Sequence, residues 1–134
     1  MFSYTQKVLF RHCDPAGIVF YPRYFEMIND VVEEYFESVL DYPFSKLHAM
    51  NGIPTAQISA TFSSPGRLGD ILNIMVTLTD VGRSSIKLHL ETQCEGELRF
   101  SANSVLVFID KNGKSTPWPD SIKQKLHAQL RGDN

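Results

Sequence analysis

Residues 22–40 read PRYFEMINDVVEEYFESVL, and the fold turns on how this stretch is read. Pro22 suits the first position of a helix, and neither Gly nor another Pro follows before Pro43. At about 100° per residue, Tyr24, Phe25, Ile28, Val32, Tyr35, Phe36 and Val39 fall on one arc. Arg23, Glu26, Asp30, Glu33, Glu34 and Glu37 fall on the opposite one. The stretch is therefore one long amphipathic helix with an acidic, solvated face. Asn29 lies at the seam just beyond Phe36, where a polar side chain can look inward.

Upstream, Phe2, Tyr4, Val8 and Phe10 interleave with Ser3, Thr5, Lys7 and Arg11, the alternation of a strand. Between strand and helix, Cys13-Asp14-Pro15-Ala16-Gly17 reads as a turn, because Pro15 extends the residue before it and Gly17 permits positive φ. Downstream, Pro43, Phe44 and Leu47 suggest a short helical turn before Asn51-Gly52. Four strand patterns then follow at 53–62, 71–81, 85–94 and 98–109, separated by Ser64-Pro65-Gly66, Gly82-Arg83 and Glu95-Gly96. Such short connections favour antiparallel pairing. Ile122, Leu126 and Leu130, after Pro117-Trp118-Pro119, predict a closing helix over 121–130.

The order is strand, long helix, then four strands. One helix covers one face of an antiparallel sheet, so the expected class is α+β with the helix packed on a five- to six-stranded sheet. The uncovered face and edges are left to solvent or to another copy, which points to a homodimer or homotetramer. With 134 residues the chain is expected to form a single domain over 1–134.

Composition narrows the function. Lys and Arg number 13 against 15 Asp and Glu, a net charge of −2, which lacks the basic footprint nucleic acid requires. No stretch approaches the roughly 20 apolar residues of a membrane span. Tyr4, Thr5, Gln6 and Lys7 interrupt any signal-like apolar run, so a cytoplasmic location with reduced Cys13 and Cys94 is expected. Histidines at 12, 48, 89 and 127 form no i, i+4 pair and there is no Cys-x-x-Cys, so no metal site is expected.

The stretch most suggestive of chemistry is His12 to Phe25, which sets Asp14 in a kinked loop shortly before a helix N-terminus. Unpaired amides and the positive end of the helix dipole favour developing negative charge there. Asp14-Pro15-Ala16-Gly17-Ile18-Val19-Phe20-Tyr21-Pro22, followed by an aromatic-rich helix, closely resembles the 4-hydroxybenzoyl-CoA thioesterase family of the hotdog fold, in the branch of the YbgC-like acyl-CoA thioesterases. Ala60-Thr61-Phe62 and Leu68-Gly69-Asp70 add to the resemblance, which spans residue 4 to about 125.

The resemblance implies hydrolysis of an acyl-CoA thioester, with an aromatic or a short to medium acyl group, and Asp14 as nucleophile or general base. It implies that a main-chain N–H near the helix start polarises the carbonyl. Pro22 has no N–H, so the donor is Tyr21 or lies in the turn from Gly17 to Phe20. Tyr24, Phe25 and Asn29 are the implied acyl contacts. Asn29 stands where the 4-hydroxybenzoyl-specific enzyme carries an Asp, and an amide offers no charge-assisted bond to a phenol. Arg83 and Ser84, with Lys87 nearby and Arg67 as the weaker alternative, are the implied contacts of the coenzyme A half.

By the same resemblance the site lies between two subunits, with residues 59–62 coming from the second. A thioester is activated enough for one carboxylate and an oxyanion site to suffice, so no cofactor is expected. A hotdog hydratase using His12 and a non-catalytic acyl-CoA-binding protein are the other readings.

Overall fold

The structure, a computed structural model, describes residues 2–132, so Met1, Asp133 and Asn134 of the expected domain lie outside the described residues. The elements run β1 (Phe2–Lys7), a 3-10 turn (Phe10–His12), α1 (Pro22–Ser38), α2 (Phe44–Leu47), β2 (Asn51–Gly52) and β3 (Thr55–Phe62). They continue with β4 (Ile71–Val81), β5 (Ser85–Cys94), β6 (Glu97–Val107), β7 (Ile109–Asp110) and α3 (Asp120–Leu130). Five strands form one antiparallel sheet in the order β1-β4-β5-β6-β3, and β2 pairs with β7 apart from it.

The register aligns one apolar row after another beneath the helix. Val76 faces Leu90, Leu90 faces Ala102, and Ala102 faces Ala60; the next row runs Ile74, Thr92, Phe100, Phe62. On β4 the inward Leu72, Ile74, Val76 and Leu78 alternate with exposed neighbours and a half-buried Met75, which is the two-residue period of a sheet buried on one face. Helix α1 buries Tyr24, Met27, Ile28, Val31, Val32, Tyr35 and Phe36 against that face. Tyr24 meets Phe100 at 4.6 Å between ring centroids and Tyr35 stacks on Phe2 at 5.8 Å, so the helix crosses from β6 at its start to β1 at its end. Trp118 stacks on Phe108 and Ile122 and Leu126 of α3 close the same core. No helix among the described residues is long and apolar enough to cross a membrane.

Four boundaries differ from the sequence reading. The first strand stops at Lys7 rather than Phe10, because the Leu9 N–H donates to His12 Nδ1 at 2.8 Å and folds the chain into the 3-10 turn. Helix α1 ends at Ser38 rather than Leu40, because Asp41 takes φ 51° and the Tyr42 N–H reaches back to the Phe36 carbonyl. The strand expected over 53–62 begins only at Thr55, because Pro54 has no N–H for the ladder, and that expected over 98–109 divides at Phe108, after which Ile109 and Asp110 pair with β2.

Strand β3 is an edge whose residues are exposed except for a half-buried Ala60, with Ile58 and Phe62 presenting apolar surface. Phe36 is fully buried between Phe44, Tyr35 and Trp118. Replacing it, Phe36→Ala, is expected to lower unfolding free energy by about 3–5 kcal/mol in urea titration, the usual cost of deleting a core aromatic.

Candidate functional site

Strands β3 and β4 run antiparallel on opposite sides of β5 and β6, so residues 63–70 cross one end of the sheet. The segment between β1 and α1 crosses the same end, and the two are bonded to each other. The Val19 N–H donates to the Gly66 carbonyl at 2.8 Å, and Ile18 bridges Arg67. A Cβ at Gly66 would collide with the Tyr24 hydroxyl and lie 2.9 Å from Val19 Cγ2, so only glycine lets these segments approach.

Asp14 is half-buried in this setting. Its Oδ1 accepts the Ala16 N–H at 2.9 Å, its own N–H donates to Ile18, and its carbonyl accepts the Gly17 N–H. Gly17, at φ 80°, supplies the left-handed residue that closes the turn. The carboxylate is thus held by one oxygen, and Oδ2 is engaged by no hydrogen bond among the described residues. Asp14 lines a cavity of about 730 Å³ together with Ile18, Tyr21, Tyr24, Phe62 and Ser64.

The amides around it divide sharply. Those of Gly17, Val19 and Phe20 are taken by Asp14, Gly66 and His12 carbonyls, and those of Arg23 and Tyr24 bond back to Phe20 and Tyr21. Pro22 has none. The N–H groups of Ile18 and Tyr21 have no acceptor among the described residues, and of the two it is Tyr21 that stands at the N-cap of α1. Tyr21 therefore combines an unused donor with the positive end of the helix dipole.

Aromatic rings wall the cavity. Tyr24 stacks on Phe62 at 5.8 Å, while Tyr21 and Phe25 both meet Phe62 edge-on. Burial pushes the Tyr24 hydroxyl above its usual pKa, the neighbouring Gly66 backbone opposing this. Beyond the Phe25–Phe62 wall a second cavity of about 540 Å³ holds Ile28, Asn29, His48 and Ser104.

The structure thus gathers Asp14, Tyr21 and Tyr24, with Gly17 in the adjoining turn, and sets Phe25 and Asn29 around the next cavity along the same helix. It does not bring Arg83 and Ser84 to them within one chain. They follow β4, whose 11 residues put them roughly 30 Å from the Asp14 end at about 3.3 Å per residue. Phe62, read from sequence as a second subunit's contribution, lines the Asp14 cavity of its own chain.

Ser64, which lines the cavity, and Arg99, which stands behind it, escaped the sequence reading, whereas His12 entered it only as the acid or base of the hydratase alternative. Ser64-Pro65-Gly66 gave only a turn signal, and a lone Arg in a strand pattern announces nothing. His12 is buried, and its carbonyl holds the Phe20 N–H just before α1. Burial first, then the charge of Arg11, lowers its pKa below 6.5. The unfolded chain then takes up the proton first, so stability present above about pH 6.5 is lost as pH falls through the folded-state value. His12→Asn, whose Oδ1 can accept the Leu9 N–H, is expected to flatten this part of the pH dependence of the urea midpoint, measured between about pH 7.5 and 5.

Residues 8–126 match the family model described as the thioesterase-like superfamily. A comparison with curated proteins finds no match. Among solved structures, BH1999 gentisyl-coenzyme A thioesterase is 24% identical with a TM-score of 0.86, covering 92% of this chain and 98% of that one. Slr0204, a 1,4-dihydroxy-2-naphthoyl-CoA thioesterase from Synechocystis, is 21% identical with a TM-score of 0.86, covering 94% and 95%. SAV2348 from Staphylococcus aureus, solved in complex with CoA, is 19% identical with a TM-score of 0.92, covering 99% and 85%. At these identities the likeness is one of fold.

Proposed function

The chain belongs to the thioesterase-like superfamily, and on that premise we propose that it hydrolyses an acyl-CoA thioester to the free acid and coenzyme A at the Asp14 cavity. The observation that carries this reading is the pairing, in one cavity, of a carboxylate with a free oxygen and an unused amide at a helix start. The thioester carbonyl oxygen accepts the Tyr21 N–H, which stabilises the negative charge it gains when the acyl carbon is attacked. The attacking oxygen is Asp14 Oδ2, giving an anhydride that water then opens, or a water oxygen whose proton Asp14 accepts. Either way the C–S bond breaks, coenzyme A leaves as a thiolate that takes up a proton, and no metal or redox group has a role.

The acyl group we propose is aromatic. The rings of Tyr21, Tyr24 and Phe62 form its walls, and face-to-edge packing of aromatic rings rewards a planar acyl group. The gentisyl-CoA and 1,4-dihydroxy-2-naphthoyl-CoA enzymes with this fold support the same class. Asn29, as a neutral amide, favours hydrogen bonding over charge recognition at the distal end. The free β3 edge is the surface on which a second copy would extend the sheet, and a homodimer formed there would carry the second chain's Arg83 turn towards this end.

Free thiol release from benzoyl, hydroxybenzoyl, short, medium and long acyl-CoA tests the reading. Wild type is expected to turn over aroyl-CoA fastest, and Asp14→Asn to fall by at least ~10² in kcat. Binding of acyl-CoA by wild type without thiol release above background would instead make this a binding protein.

A further inference from the structure

We propose that Arg99, which touches neither Asp14 nor the cavity, is a positioning residue that sets the Asp14 loop for turnover. The inference rests on the thioesterase reading of that cavity. Arg99 is buried at the start of β6, beneath the crossing of residues 63–70. Its Nη1 donates to the Pro65 carbonyl and to Asp70 Oδ2, each at 2.7 Å. Its Nε lies 3.0 Å from Glu97 Oε1 as a charge contact without hydrogen-bond angle. Its own carbonyl accepts the N–H groups of Ser63 and Ser64, and Asp70 Oδ2 also accepts the Arg67 N–H.

One guanidinium thus fixes both ends of a segment whose Ser63, Ser64 and Pro65 line the Asp14 cavity. The same segment passes its position on: Gly66 accepts from Val19, Arg67 bridges Ile18, and Ile18 accepts the Asp14 N–H. The path from the Arg99 guanidinium to Asp14 therefore runs through Pro65 and Gly66 to Val19 and Ile18, by main-chain hydrogen bonds after the first link. A buried cation is a costly way to fasten a loop unless it is paired and hydrogen-bonded. Here the one nitrogen Nη1 joins the Pro65 carbonyl and the Asp70 carboxylate, two residues to either side of Arg67 and Leu68, and a Lys ammonium, one bond shorter, does not reach both from the same position. A carboxylate displaced by about 1 Å can lose about 10²-fold in rate.

The test compares wild type, Arg99→Lys and Arg99→Met, each alone and combined with Asp14→Asn. Arg99→Lys keeps the charge and much of the volume should Arg99→Met fail to fold. We expect Arg99→Lys to keep a native circular dichroism spectrum while kcat falls about tenfold or more and KM moves less than about threefold. On the Asp14→Asn background the same change should lower the residual rate by less than about twofold, because the group being positioned is already gone. Amide hydrogen exchange at Asp14 and Val19 should quicken about tenfold, with Leu88 and Leu90 of β5 unmoved.

Unchanged exchange at Asp14 and Val19 would overturn the proposal, as would unchanged kcat. An equal fractional loss in the Asp14→Asn background would do so too, since it would mark Arg99 as a general support of the fold. Absence of thiol release by wild type would defeat the hydrolase reading, while exchange would still decide whether Arg99 holds the loop.

Discussion

Helix α1 has one way to bury its aromatic stripe: it must cross the sheet obliquely, with Tyr24 on Phe100 and Tyr35 on Phe2. That crossing delivers its N-terminus to the end of the sheet where the chain leaves β1 and where residues 63–70 pass between β3 and β4. Everything chemical follows from this placement. Pro22 removes one amide at the helix start, local turns use most of the others, and Tyr21 N–H is left beside a cavity that contains Asp14. A helix packed one turn further along would present the same residues to no carboxylate.

The second dependence is the contact between two connecting segments. Loops usually tolerate change because little depends on their exact course. Here the 8–21 and 63–70 segments are bonded through Val19 and Gly66, and the space between them is so small that residue 66 has no room for a side chain. Arg99 and Asp70 fasten the outer segment to β6, so a partly buried ion pair stands behind the wall of the cavity. Burial by itself would lower the Arg99 pKa, but the Asp70 hydrogen bond and charge hold it above the usual guanidinium value.

Much of the fold was legible because periodicity is a local property. The helix over 22–40 and the four later strands follow from spacing alone, and the boundaries that moved are set by single local groups that a period does not register. The His12 imidazole taking the Leu9 N–H and Pro54 lacking an N–H are such groups. The carboxylate was legible through its motif, whereas eliminating Pro22 narrowed the amide only to Tyr21 or the turn from Gly17 to Phe20, whose Gly17, Val19 and Phe20 N–H groups prove to be engaged. The site's far wall was legible only in part. The resemblance brought residues 59–62 to the site from a second subunit, and only the β6–β3 register, with Phe62 opposite Phe100, carries Phe62 to Tyr24 of its own chain. Arg99 and Asp70 are 29 residues apart in sequence, and no spacing rule links them.

The central claim is that a thioester carbonyl lies between Asp14 and the Tyr21 N–H. A crystal structure of Asp14→Asn soaked with benzoyl-CoA tests it most directly. The account predicts the carbonyl oxygen about 2.7–3.1 Å from the Tyr21 nitrogen, with the acyl carbon facing residue 14 and the ring against Tyr24 and Phe62. A ligand ordered with its thioester away from both groups, its acyl group outside the aromatic walls, would contradict the account.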